Sequence, residues 1–229
     1  MPTYLQMVTG ASATNAGLLM IPMMGGVLVT SMISGQVVSK TGRYKTFPIV
    51  GTIVTGIGLA LLSTMTASTS VVVTCVYLAI MGIGLGLAMQ ILILIVQNTF
   101  PAREVGTATA SNNYFRQIGA SLGSAIVGTI FASRLTDLLS ASSGSAGGSG
   151  VGDANSLTPE AVHQLPTAVR DVIVNAYSDA LTPVFLYLVP LLGIAAVLLA
   201  FVTEKPLATT IDDSPAEAAG RSVPELVLD

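Results

Sequence analysis

The chain reads as an all-α, polytopic membrane protein of about five transmembrane helices, and three observations predict this. Of its 229 residues 52% are hydrophobic and only 9% are charged, against about 25% charged in a soluble domain. Its apolar residues come in five blocks long enough to cross a bilayer, which takes about 20 residues. Those blocks carry no recurring charged face of the kind a soluble core helix turns to water.

The first block runs from about Ala16 to Val38 and the second from Phe47 to Met65. The third spans Val71 to Val96, the fourth about Thr107 to Ala132, and the fifth Val184 to Val202. Arg116 is the one charged residue within these limits. The small net charge of −3 and the lack of a basic face exclude nucleic acid as a partner. Cys75 is the single cysteine, which rules out an intramolecular disulfide. His163 has no set of His, Cys or acidic neighbours around it, so no metal site is expected. No nucleophile–base pair lies near a span, which argues against an enzyme. Nor does the stretch Met1–Gln6 show the positive n-region of a signal peptide.

The connections set the expected topology. Lys40, Arg43 and Lys45 crowd the first link, Arg103 the third, and Lys205 follows the last span. Arg134 and Arg170 flank the long fourth connection, with several acidic residues. The positive-inside rule then predicts a cytoplasmic C-terminus and an N-terminus outside, a start that hints at a missing preceding span. Residues 1–203 form the transmembrane domain on this reading, with an outer connection over 134–183. The Ser/Gly/Ala-rich stretch 140–156 is expected as a flexible linker. Thr158-Pro159-Glu160 reads as a helix start. Val169, Val172, Ile173, Ala176 and Ala180 then recur at helical spacing. They fit an amphipathic helix on the outer membrane surface and a helix packed on the outer ends of the spans equally well. The polar, proline-containing tail 204–229 is expected to be disordered.

Polar residues inside the spans are the candidates for function. Asn112 and Arg116 are four apart, as are Asn113 and Gln117, so each pair shares a helical face. An ionised residue at that depth should face a protein interior or a water-filled cavity. There it would bind an anionic substrate group or a carboxylate of another helix, or bond helix carbonyls and fix packing. Gln90 and Gln97 share a face that continues through Gly86 and Gly82, suited to lining a cavity or to bonding a neighbouring helix. The small residues Gly119, Ala120, Gly123, Ser124 and Gly128 have helix-packing spacing. Methionines 7, 20, 23, 24 and 89 fit either soft substrate contact or core filling.

The segment Gly35-Gln36-Val37-Val38-Ser39-Lys40-Thr41-Gly42-Arg43-Tyr44-Lys45 resembles the Gly-x-x-x-Asp-Arg-x-Gly-Arg-x-Arg/Lys loop of the major facilitator superfamily. Gly35, Lys40, Gly42, Arg43 and Lys45 match in type, and Ser39 takes the acidic position. In that family the loop biases the inward- and outward-facing states, so these five residues are candidates for cytoplasmic gating. Cations that only set topology explain them as well. Tyr4-Leu5-Gln6, Ala16-Gly17-Leu18 and Pro22 resemble the start of the second helix of a C-terminal half. Pro101-Ala102-Arg103-Glu104 with Gly106, then Arg116-Gln117-Ile118-Gly119 and Gly123, resemble its fifth helix.

Together these are most similar to the fourteen-span drug–proton antiporter branch, over about residues 3 to 202. The resemblance implies helices two to six of a C-terminal six-helix bundle in the plasma (inner) membrane. It implies export of amphipathic or hydrophobic compounds by proton antiport, without a cofactor. The partners would be the lipid bilayer, the substrate, protons and the remaining transporter helices. No Asp or Glu lies within the five spans, so the titrating carboxylate is expected elsewhere in such a transporter. A carrier for another small metabolite and a non-transporting accessory subunit are the alternative readings.

Overall fold

The computed structural model describes residues 1–146, 162 and 165–202, and every element among them is a helix. Two short helices, α1 (Pro2–Thr9) and α2 (Ala13–Leu18), precede five long ones. These are α3 (Ile21–Thr41), α4 (Thr46–Ser63), α5 (Val71–Thr99), α6 (Val105–Ala146) and α7 (Thr167–Phe201). With α2 joined to α3 as one span, five helices are long and apolar enough to cross a membrane: Ala13–Thr41, Thr46–Ser63, Val71–Thr99, Val105–Ala141 and Val169–Phe201. All five expected blocks are therefore present as helices.

Local chemistry sets where several helices begin and end. The Ser12 hydroxyl accepts the Asn15 N–H at 3.3 Å and caps α2, as serine does at an N-terminus. Pro22 sits in the first turn of α3, where its missing N–H costs nothing. Helix α3 stops at Gly42, whose φ of 71° is the left-handed conformation that closes helices, and whose N–H donates to the Val38 carbonyl at 2.8 Å.

Helix α5 lies between α3 and α4 and makes the most extensive contacts of the bundle; α4 also packs on α7, and α7 on α6. Between membrane helices there is no water to expel, so close packing and interhelical hydrogen bonds hold the bundle. Glycine makes that closeness possible on both sides of α5. A Cβ at Gly82 would collide with the Met23 carbonyl, and one at Gly86 with the Thr30 hydroxyl and the Val27 carbonyl. On the other side Gly84 presses on Thr55 and Gly51. Thr30 Oγ1 donates to Ile83 O at 3.1 Å and Ser31 Oγ to Gly86 O at 3.2 Å, tying α3 to α5. The buried Thr52 and Thr55 hydroxyls turn back onto Pro48 O and Gly51 O of their own helix, so neither is left unsatisfied in hydrocarbon.

Two apolar cores close the ends. At the end carrying Lys40 to Lys45, Val38, Tyr44 and Ile91 are buried with Phe47, Leu94 and Ile95 around them. At the opposite end α1, α6 and α7 meet through Tyr4, Met7, Leu135, Leu139, Ile173 and Tyr177, over Leu62 and Leu78. Phe131 and Tyr177 pack edge to face with centroids 4.9 Å apart, and Tyr4 OH lies 3.3 Å from Ser178 Oγ. Burial raises the Tyr4 pKa, helped by the nearby Asp179 and partly offset by the Ser178 bond.

Two expectations about the long connection change. Helix α6 runs on to Ala146, so the first residues of the anticipated linker are helical. The periodic segment 169–180 is not a separate surface helix: it is the first third of α7, continuous with the last span through Pro183 and Pro190. Ile173, Ala176 and Ala180 are buried against α1 and α6, which is the packed alternative. Thr182 Oγ1 donates to Ser178 O at 3.0 Å within the same helix, so the buried hydroxyl next to Pro183 is satisfied. The Thr158 cap, His163, residues 147–156 of the linker and the tail 204–229 lie outside the described residues.

Candidate functional site

Helix α6 differs from the rest of the bundle. At 42 residues it is about 63 Å long, roughly twice the hydrocarbon thickness. It is held mainly at its far end, where Phe131, Leu135, Leu138 and Leu139 join the α7 core. Arg134 adds a bond there, Nη2 donating to Tyr187 OH at 2.7 Å with the guanidinium 5.4 Å from the ring centroid. The half from Val105 to about Ile126 is largely uncovered: Tyr114, Phe115, Leu122 and Ile126 are exposed. Gly106, Gly119, Gly123 and Gly128 meet nothing within 4 Å of a side-chain position. The small-residue stripe predicted as a packing seam thus has no partner among the described residues.

On this uncovered half lie the candidate polar residues. Asn112 and Asn113 are half-buried, and Arg116 and Gln117 are exposed. Arg116 stands about 16 Å along the helix from Val105, at 1.5 Å per residue. It forms no ion pair or hydrogen bond with another described residue. Thr109, which the sequence reading passed over, belongs to the same face at i−3 to Asn112 and i−7 to Arg116. Its Oγ1 is buried without a hydrogen-bond partner among the described residues. A hydroxyl, two amides and a guanidinium therefore share one side of a membrane helix, the first three partly covered by this chain and the guanidinium exposed.

The glutamines of α5 divide from their glycines. Gly82 and Gly86 are consumed by packing on α3, while Gln90 and Gln97, farther along, are exposed. No hydrogen bond joins them to the α6 group among the described residues.

At the loop, Lys40 occupies the last turn of α3, a favourable place for a cation at a helix C-terminus. Gly35 and Gly42 are half-buried, Lys40 and Arg43 exposed, and Lys45 half-buried. Ser39 Oγ, at the motif's acidic position, donates to Gln36 O at 2.9 Å within its own helix. Between the two cations Tyr44 is 1% exposed and anchors the loop in the α3–α5 core. Its burial was hidden in the sequence by the charges on either side, the one signal being a lone aromatic among them.

No group of three or more His, Cys, Asp or Glu side chains comes together as a metal site among the described residues. The arrangement offers hydrogen-bond donors, acceptors and a fixed cation in a bilayer, which suits recognition and passage of a solute. This is the architecture of a helical, multi-pass membrane protein.

Comparison with known proteins agrees. The Major Facilitator Superfamily pattern matches residues 1–124, and the chain belongs to that family. An uncharacterised MFS-type transporter of Mycobacterium tuberculosis is 39% identical over 224 residues, 97% of this chain and 32% of that protein. Multidrug resistance protein 3 of Bacillus subtilis is 34% identical over 219 residues, 92% of this chain and 43% of its own length. A tetracycline resistance determinant of Streptomyces rimosus is 33% identical over 146 residues, covering 61% and 41% respectively. The chain thus spans about a third to two-fifths of the length of these relatives.

Proposed function

We propose that the chain supplies the C-terminal portion of an exporter of amphipathic or hydrophobic compounds, driven by proton antiport. The observation that carries this reading is the polar face of α6, partly covered by its own chain at Thr109, Asn112 and Asn113 and exposed at Arg116. An ionised group there demands a cavity or a partner. In a carrier built from two halves the solute passes between them, and this face is the wall the present half contributes. The names of the Bacillus and Streptomyces relatives support drugs as the solute class.

Within this scheme Arg116 anchors anionic or acceptor groups of the solute, or a carboxylate from the other half. Asn112, Asn113 and Gln117, with Gln90 and Gln97 on α5, offer neutral hydrogen-bonding groups that tolerate varied solutes. Lys40, Arg43 and Lys45 with Gly35 and Gly42 form the cytoplasmic gating loop. The orientation that accompanies it puts the N-terminus outside, the C-terminal tail in the cytoplasm and the protein in the plasma membrane. The carboxylates of the observed spans, Asp137, Asp171 and Asp179, lie towards one end of α6 and α7, and in this reading the proton is exchanged on other helices.

The test is efflux of an amphipathic fluorescent dye from cells making the full-length transporter. Arg116→Ala should lower efflux at least tenfold with membrane insertion intact, and collapsing the proton gradient should abolish what remains. Efflux unchanged by Arg116→Ala would return that residue to a packing role.

A further inference from the structure

A polar cavity lies far from the α6 face, at the end of the bundle opposite the basic loop. It is a cleft of about 520 Å³ between the end of α1, the α4–α5 turn and the first turns of α7. Its lining includes the apolar Met7, Val8 and Val174 beside polar and charged residues. Arg170 and Asp171 stand side by side there, with the Asn175 amide one turn on. The facing turn presents Thr66 and Ser68, whose hydroxyls lie 3.0 Å apart and are drawn together with Thr69.

The charges are only loosely committed to each other. Arg170 approaches Asp171 through Nε alone, at 3.8 Å, and the two side chains are 40% and 60% exposed. A contact that long and open contributes little. It does not engage the terminal nitrogens of the guanidinium, the part that grips carboxylate or phosphate oxygens in bidentate fashion. The second carboxylate oxygen is available in the same way to an ammonium donor. Helix α7 needs only its last 20 or so residues to cross the hydrocarbon, which leaves this first turn for the aqueous or headgroup region.

We propose that this cleft binds a small zwitterion, an ammonium linked by a short chain to a phosphate or carboxylate. Arg170 takes the anionic end and Asp171 the ammonium. Asn175 and the Thr66–Ser68 hydroxyls bond the oxygens between, and the linking carbons rest on Met7 and Val8. Because the lining comes from α1, the α4–α5 turn and α7, an occupant ties three separate segments together. The inference is independent of which way the protein faces and of what it exports.

The same chemistry is available from a free metabolite or from a zwitterionic phospholipid headgroup, and one experiment separates them. The full chain is placed in nanodiscs of phosphatidylglycerol, which lacks an ammonium, and O-phosphoethanolamine binding is measured by equilibrium titration. Saturable binding is expected, at least tenfold tighter than for inorganic phosphate or ethanolamine alone. Arg170→Gln and Asp171→Asn should each weaken it at least tenfold. Asn175→Ala should weaken it severalfold, and Asp137→Asn, an exposed charge outside the cleft, should not change it. All four exchanges are at solvent-facing positions or near-isosteric, and each variant's melting temperature reports that it has folded. If phosphatidylethanolamine discs depress the apparent affinity for the free ligand, the headgroup is the natural occupant; an unchanged affinity assigns the cleft to a free zwitterion. Binding no tighter than that of phosphate, or unaltered by both charge substitutions, overturns the proposal.

Discussion

Tyr44 shows how a single side chain can govern a loop that its neighbours make look like open water. Lys40 and Arg43 are exposed and Lys45 half-buried, yet Tyr44 between them is fully enclosed by Val38, Ile91 and the residues around them. The aromatic ring is what fixes the cations against the ends of α3 and α5. Tyr44→Ala should cost roughly 3 kcal/mol, the usual loss for emptying an aromatic site, read as a fall in melting temperature in detergent. Lys40→Gln, at an exposed position, should shift stability by less than about 1 kcal/mol. Equal losses for the two would mean that the ring is not the anchor. Arg116 was visible in the sequence because one charge in five apolar blocks stands out. Thr109 and Tyr44 were not, because a threonine in a helix and a tyrosine in a basic loop are ordinary until their surroundings are known.

Among the elements, α5 and α6 make opposite uses of small residues. On α5 they are spent: Gly82 and Gly86 against α3, Gly84 against α4, leaving no room for a side chain. Gly86→Leu should therefore separate α3 from α5 at a cost of at least about 3 kcal/mol, the upper range for overpacking. A crosslinking pair across the α3–α5 seam would report that separation as lost yield. On α6 the same spacing meets nothing, so Gly123→Leu should leave the chain's own melting temperature within about 0.5 kcal/mol of the parent. A large loss there would mean that α6 packs on this chain after all. Sequence spacing recognises both stripes as small-residue faces but cannot say which has a partner. That depends on helices brought near by the rest of the fold. The length of α6 and the continuity of α7 escaped the sequence for a related reason. Serine and alanine beyond Ala132 look like linker by composition, and Pro183 looks like a boundary. The α6–α7–α1 core that stabilises both segments is assembled from residues more than a hundred positions apart.

At the scale of the whole molecule, the bundle is sealed on its α3–α5–α4–α7 side and open along α6. Hydropathy alone made the five spans legible, because a bilayer admits helices and little else. The open side was legible only as a polar pattern with an undetermined neighbour. The chain's coverage of about a third to two-fifths of its relatives gives that opening its meaning in the proposed exporter, as the surface that meets the other half across the solute path. Arg134 and Tyr187 clamp the far end of α6 to α7. Its near half is largely exposed and in the proposed exporter forms that surface.

The most direct test of this account is a cysteine scan of α6 in the full-length transporter, with Cys75 replaced by serine. Each position from 105 to 128 is probed with a small membrane-impermeant thiol reagent. The account predicts labelling that recurs every three to four residues through 109, 112, 113 and 116, with protection of these positions by an exported amphipathic compound. Uniform lack of labelling along that face, with or without the compound, would place α6 in lipid or in a dry helix seam and contradict the proposed cavity wall.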